Sequence, residues 1–369
     1  MLRPEVVELI NSGEAWAFIG SGVSADAGYP TWDTLVHLAL SSLPDDIKER
    51  VEADPGYVRV LGVHDFPRAL GRAVTIVGSR DWLDSALKTE FQSPRMPGTL
   101  AAMLAEWPFA GYITTNFDHL IEQALAGLEE HGWVPIGNTD EECRKTSGNA
   151  SRVVWHVHGD FEGLRGSPVV TDLDYDRIYL EDGPLISALR ALLQQRRVVF
   201  FGFGFRDPQV LTLLKRVGRL CHPARPAYAF LSDCDENDRK ELLRDYNVDV
   251  IPYSAPSGAH TQLVEILQLY RALVLNRRLR FGKPKRQCPS FHPESTSLLT
   301  YNRLVLETNA TVEESGVSAL IRARILAILQ NRENGSLADL ANDLSPRVSL
   351  LGVGSSPPGR IDHVERVLV

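Results

Sequence analysis

Four short apolar runs, each ending in glycines or in residues able to do chemistry, constrain the fold of this chain more than any other feature. Ala15-Trp16-Ala17-Phe18-Ile19 leads into Gly20-Ser21-Gly22-Val23-Ser24, and Gly111-Tyr112-Ile113-Thr114-Thr115 leads into Asn116-Phe117-Asp118. Val153-Val154-Trp155-His156-Val157 leads into His158-Gly159-Asp160, and Val198-Val199-Phe200-Phe201 leads into Gly202-Phe203-Gly204-Phe205-Arg206-Asp207. Such runs, bounded by turn formers, read as strands buried on both faces, and segments of helical periodicity lie between them. That alternation specifies an α/β fold: a Rossmann-like doubly wound parallel sheet. Ligands of open α/β sheets gather beyond the carboxyl ends of the strands, so the four tips are expected to face one crevice.

Other segments fit the same plan. Ala227 to Leu231 and Val248 to Ile251 read as strands, with a helix from Glu236 to Tyr246 between them. Asp118 to Leu128 places Leu120, Ile121, Ala124 and Leu125 on one helical face, and the positive end of that helix beside Asn116 favours a negatively charged ligand. Residues 34–105 form a helix-rich insertion expected to wall one side of the cleft.

Each tip has a plain local reading beside the chemical one. Gly20-Ser21-Gly22 lets the backbone approach an anion closely and supplies converging amides, but no third glycine completes the dinucleotide fingerprint of dehydrogenases. Asn116 reads locally as a helix N-cap with Asp118 in the first turn. His156 and His158 alternate onto the same face, so one of them serves packing. Arg206 and Asp207 pair with each other and cap a helix beginning at Pro208. Thr171-Asp172-Leu173-Asp174-Tyr175 reads as a surface turn.

The glycine-serine turn, Thr-Thr-Asn-Phe-Asp, Val-His-Gly and a late Gly-Phe-Gly, in that order, make the chain resemble the sirtuin-like NAD-binding proteins over about residues 10–275. The resemblance implies that Gly20, Ser21, Gly22 and Ser24 hold the cofactor's phosphates. Asn116 and Asp118 then frame the nicotinamide ribose and carboxamide, His158 is the base, and Gly202 and Gly204 receive the adenosine half.

Departures from the sirtuin pattern matter as much. Cys143, Cys221, Cys234 and Cys288 are scattered, whereas sirtuins hold zinc with two Cys-x-x-Cys pairs, so no structural zinc is expected. Gly28-Tyr29-Pro30-Thr31-Trp32-Asp33 stands where sirtuins have Gly-Ile-Pro-Asp-Phe-Arg, which implies a ribose less shielded from water. The chain shows no counterpart of the strand that pairs with an acyl-lysine peptide, and Gly202-Phe203-Gly204 lacks the hydroxyls of the sirtuin Gly-Thr-Ser. It is therefore similar to the zinc-free bacterial branch, NAD hydrolases of antiphage defence.

The implied reaction suits these side chains. Nicotinamide in NAD is already a cationic leaving group, so its release needs the developing oxocarbenium sugar to be held and presented to water. Asn116 can position a hydroxyl or water without adding charge, Asp118 can oppose positive charge or bind the carboxamide, and His158 can accept a proton near neutrality. The expected activity is an NAD glycohydrolase giving nicotinamide and ADP-ribose, gated by assembly or a partner. The alternatives are an NAD-dependent protein deacylase or ADP-ribosyltransferase, and a non-catalytic nucleotide sensor.

Composition permits this reading. The chain has 369 residues, 44% hydrophobic and 23% charged, enough for one large domain over residues 1–275 and an appendage over 276–369. A formal net charge of −8 argues against general adhesion to nucleic acid. Met1-Leu2-Arg3-Pro4-Glu5 lacks the apolar run of a signal peptide, no membrane-spanning stretch is evident, and the unpaired cysteines suit a reducing compartment, so a cytoplasmic location is expected. The acid-free span carrying Arg277, Arg278, Arg280, Lys283, Lys285 and Arg286 reads as an exposed linker. Beyond it, helices at 317–330 and 337–344 and a turn at 352–359 suggest an oligomerisation or partner-docking module rather than a degenerate winged helix. The resemblance implies a homo-oligomer, or a partner such as a HerA-like DNA translocase ATPase or an Argonaute-like protein.

Overall fold

The computed structural model describes residues 2–277, apart from 94, 129–131, 147–151, 164, 180–182, 206–207, 219–225, 256–259 and 275–276. The expected helices at 317–330 and 337–344, the turn at 352–359, the Arg206–Asp207 pair, Cys221 and Cys288 lie outside the described residues. Arg277, read from the sequence as part of an exposed linker, is buried.

Seven parallel strands form one sheet: β1 (Trp16–Ile19), β2 (Gly111–Thr114), β3 (Val134–Ile136), β4 (Val153–His156), β5 (Val198–Phe201), β6 (Ala227–Ser232) and β7 (Val248–Tyr253). Their order, β3-β4-β2-β1-β5-β6-β7, is that of a Rossmann-like α/β fold. Every residue of β1, β2, β4 and β5 is buried, which is why these strands read as unbroken apolar runs rather than as alternating ones. The short β3 begins on exposed Val134 and contains Pro135, the signature of an edge strand, and its sequence carries too little pattern to be found in advance. The helix Glu236–Tyr246 forms where its periodicity places it, fixed at its start by a capping box between Asp235 and Asp238 and closed by Asn247 in the left-handed conformation.

The chain runs β1, β2, β3, β4 on one side of β1 and then crosses to β5 on the other. The topological switch point therefore lies between β1 and β5, and the turns Gly20–Gly22 and Gly202–Gly204 stand on its two sides. Between β1 and β2, six helices fill Trp32–Glu106 and carry a second apolar core around Leu35, Val36, Leu70, Leu83 and Leu87. The main core packs the sheet residues Phe18, Ile113, Trp155 and Phe200 against Leu185, Leu189, Val210 and Leu213 of the following helices.

The described residues fall into two compact units. Ser12–Val264 holds the sheet; the other joins the helix Pro4–Asn11 to residues from Glu265 onward, where Arg3 N donates to Tyr270 Oη at 2.8 Å and Asn11 Nδ2 to Leu273 O at 3.1 Å. No helix among the described residues is long and apolar enough to cross a membrane.

The switch point tolerates no side chain. Gly202 has φ +61°, and a Cβ there would stand 2.5 Å from Val23 N and 2.9 Å from Gly22 C, all backbone that cannot swing aside. Gly202→Ala is expected to cost at least about 1–3 kcal/mol in urea unfolding. Gly62→Ala, in open space at the end of the helix Pro55–Gly62, should change stability by less than about 1 kcal/mol. Equal stability of the two variants would contradict the close approach.

Candidate active site

Parallel register sets the height of each tip. Ile19 lies beside Thr114 on one side and Phe201 on the other, and Thr114 lies beside His156, so the chain leaves β1, β2, β4 and β5 at one level. The two glycine turns are bonded to each other: Gly20 N donates to Phe201 O and Gly22 N to Gly202 O, both at 2.9 Å. These two amides hold the turns together, and the glycines are needed first for backbone approach. A Cβ on Gly20 would meet Gly202 O at 2.5 Å.

A cleft of about 1040 Å³ opens over the switch point, at the large end for small-molecule sites. Its lining includes Ser21, Gly22, Gly202 and Gly204 of the two turns, Thr31, Trp32 and Asp33 at the start of the helical layer, and Ser232 and Asp233 at the end of β6. Of the six residues assigned to the cofactor, those four turn residues line the cleft, whereas Gly20 and Ser24 lie outside its lining.

Ser24 instead belongs to a buried polar cluster with Asn116 and Asp118. The Asn116 amide Nδ2 donates to Gly20 O at 2.9 Å and to Ser24 Oγ at 2.7 Å, and Ser24 Oγ donates to Asp118 Oδ2 at 2.5 Å. Asp118 Oδ1 accepts from Leu120 N at 3.1 Å, and Thr114 Oγ1 accepts from Asn116 N at 3.0 Å. Asn116 is therefore not the helix cap of the local reading. The helix Leu120–Gly127 starts at His119, whose side chain makes no capping bond. Asn116 is 8% exposed and Asp118 6%; burial pushes the Asp118 carboxyl above its usual range, while the Ser24 hydroxyl and Leu120 amide pull it back. Between them Phe117 turns the other way and packs against Phe91 and Phe161, ring centroids 5.3 and 5.0 Å apart, which anchors the tip in the helical layer.

The two histidines go to different helices. β4 ends at His156, so strand alternation does not reach His158 and the expectation of a shared face fails. His156 Nε2 lies 2.5 Å from Glu122 Oε1 on the helix Leu120–Gly127, and its Nδ1 lies 3.3 Å from Asn116 O. Burial alone would raise the Glu122 carboxyl; His156 and His119 outweigh it and hold the group well below the usual range. His158, 1% exposed, shares a 2.7 Å hydrogen bond between its Nε2 and Tyr179 Oη and packs edge-on against Tyr175. No hydrogen bond joins His158 to Asn116 or Asp118 among the described residues. Tyr175 lines the cleft, so the tyrosine borders the open space next to the histidine.

Tyr175 and Tyr179 belong to the helix Asp172–Tyr179, where a surface turn was expected. Asp174 causes the difference: its Oδ2 accepts from Val170 N, Thr171 N and Thr171 Oγ1 at 3.2, 2.9 and 2.9 Å, and both its oxygens accept from Arg80 Nη1 at 2.7 Å. Arg80 starts the helix Asp81–Gln92, so the pair fastens the helical layer to the segment that carries Tyr175. Nothing in the local sequence announces a pairing over 94 positions.

Residues 110–251, from β2 to β7, match the SIR2-like domain. Over these residues the chain is similar to SIR2-like domains. It is similar to an NAD(+) hydrolase ThsA of Cytobacillus dafuensis, 25% identical over 69% of this chain and 48% of that one. An NAD(+) hydrolase ThsA of Enterococcus faecium is 27% identical over 66% of this chain and 46% of its own. The Defense-associated sirtuin 2 of Bacillus subtilis is 28% identical over 58% of this chain and 20% of its own. The chain thus spans about half the length of the two hydrolases and a fifth of the third protein.

The Arg80–Asp174 pair makes stability depend on pH. Burial opposes ionisation of Asp174, but the Thr171 amide and Arg80 guanidinium overcome it and hold the carboxyl below its usual 3.8. A carboxylate depressed in the folded state stabilises above its unfolded pKa and loses that contribution as pH falls through the folded value. The stability gap between wild type and Asp174→Asn in urea titrations is therefore expected to be full above about pH 5 and to shrink below pH 3.8. A gap independent of pH would remove the charge from the explanation.

Proposed function

We propose that the chain is a sirtuin-like NAD glycohydrolase, a hydrolase that cleaves NAD to nicotinamide and ADP-ribose. One observation supports the reading: register and topology bring the glycine turns, the Asn116–Asp118 tip and the His158 tip to the C-terminal edge of one sheet, where a cleft of dinucleotide size is lined by Ser21, Gly22, Gly202 and Gly204 and by Thr115 and Tyr175, while Asn116, Asp118 and His158 stay outside its lining. The relatives named NAD(+) hydrolase supply the substrate and the reaction class. NAD is a substrate here, consumed rather than recycled.

In this reading the diphosphate lies over Ser21, Gly22, Gly202 and Gly204, where the absence of side chains allows the closest approach. Gly20 and Ser24 act from beneath: Gly20 lets the turns meet, and Ser24 relays the orientation of Asn116 to Asp118. Asn116 orients the ribose or the attacking water, Asp118 opposes the positive charge that develops as nicotinamide leaves, and His158 takes the proton. Tyr179 fixes the His158 ring, and Tyr175 shields its edge. Because Thr31, Trp32 and Asp33 occupy the wall where sirtuins place phenylalanine and arginine, water reaches the sugar more readily. None of this uses a cysteine-held zinc.

The relative from Bacillus subtilis is named a defence-associated sirtuin, which supports a role in defence; that the role is antiviral and works by depletion of cytoplasmic NAD rests on the family resemblance. Control by homo-oligomerisation, or by a HerA-like or Argonaute-like partner docked on residues 276–369, rests on the family resemblance. A hydrolase of this kind must be restrained in a healthy cell.

Chromatography of NAD incubated with the purified protein, over a range of protein concentrations, tests the reading. Nicotinamide and ADP-ribose should appear in equal amounts, and Asn116→Ala and His158→Ala should each lower turnover by roughly 100-fold or more. Turnover that strictly required an acylated peptide would favour the deacylase, and NAD binding without turnover would favour a nucleotide sensor.

A further inference from the structure

We propose that His119, Glu122 and His156 form a binding site for a divalent metal ion of the zinc class, beside the turn that carries Asn116 and Asp118. One ligand atom from each of the three residues lies within 4.8 Å of the others. Glu122 Oε1 is central: it is 2.5 Å from His156 Nε2 and 3.4 Å from His119 Nδ1, and the two imidazole rings are 5.1 Å apart. These three atoms can close on a single ion with small side-chain shifts, since neighbouring ligands of a metal at about 2.0–2.2 Å stand roughly 3 Å or more apart.

The surroundings are those of a metal site as well. His156 Nδ1 faces the Asn116 carbonyl at 3.3 Å, and a proton held there leaves Nε2 with its lone pair toward Glu122. His119 Nε2 makes no hydrogen bond but faces Asp160 Oδ2 at 3.6 Å and Glu162 Oε2 at 3.8 Å. Each ligating imidazole thus has an oxygen behind its other nitrogen, the arrangement that orients histidines on a metal. Glu122, Asp160 and Glu162 also bring three carboxylates to two imidazoles, and a dication offsets that excess of negative charge.

The supports are rigid where rigidity counts. His156 ends a fully buried strand, while His119 and Glu122 lie three positions apart at the start of the helix Leu120–Gly127, so their side chains share one face. His156 is buried, and the side chains of His119 and Glu122 are each 19% exposed, so the cluster is within reach of solvent. Two imidazoles with a carboxylate select zinc and its transition-metal neighbours over magnesium and calcium, which prefer oxygen ligands alone. A bound ion ties the helix to β4 and, through His156, steadies the Asn116 carbonyl; the donor set is unrelated to the cysteines.

Zinc chloride titrated into the chelator-stripped full chain, in competition with a chromophoric chelator and without NAD, tests the site independently of the proposed reaction. Wild type should bind one zinc per chain and melt at a higher temperature when it is bound. His119→Ala, a change at a half-buried position, should keep the fold by circular dichroism and weaken zinc binding at least roughly tenfold, and His156→Gln should do the same. Zinc affinity equal in wild type and both variants, no stoichiometric binding, or calcium binding in preference to zinc would overturn the proposal.

Discussion

Two stretches of backbone meet where side chains cannot fit, and the rest of the molecule is arranged around that meeting. Gly20 and Gly22, after β1, donate to the carbonyls of Phe201 and Gly202, after β5, and a methyl group at any of Gly20, Gly22 or Gly202 would meet backbone at under 3 Å. This contact spans the switch point of the sheet, so it fixes the one place where the crossover leaves a crevice. The glycines earn their positions first by packing. Their exposure of main chain to a ligand is a consequence.

Beneath the crevice the protein buries polar groups at a cost and satisfies them in a chain. Asn116 binds Gly20 and Ser24, Ser24 binds Asp118, and Asp118 binds the first turn of the next helix. An unsatisfied member would cost about 1–3 kcal/mol, so each group enforces the placement of the next. The same logic acts on the far side, where Arg80 and Asp174 tie the helical layer to Tyr175 and, through the tyrosines, to His158. Both clusters join parts of the chain more than 90 residues apart, and both end at a side chain with chemical potential.

The apolar runs made the sheet legible, because central parallel strands must be hydrophobic on both faces, and the helix Glu236–Tyr246 was legible from its periodicity. The tips were legible through their residue types and their order. What the pattern misplaced has local causes. Strand alternation was carried past the end of β4, which put His156 and His158 together when they turn to Glu122 and Tyr179. Asn116 had the composition of a helix cap, yet a partner 92 positions away, Ser24, took its side chain. The segment around Asp174 looked polar enough for a surface turn, but Arg80, invisible to any window of local sequence, draws the carboxylate inward. The chain also gave no sign that His119 and Glu122, in an ordinary helical start, stand beside His156.

A crystal structure of the Asn116→Ala variant with NAD at saturating concentration would locate the nucleotide relative to the two glycine turns. The diphosphate should lie over the Ser21–Gly22 and Gly202–Gly204 turns, with the nicotinamide ribose between the vacated amide position and His158. A nucleotide bound away from the two turns, or one whose nicotinamide end lies at the Ser232–Asp233 side of the cleft, would contradict this placement.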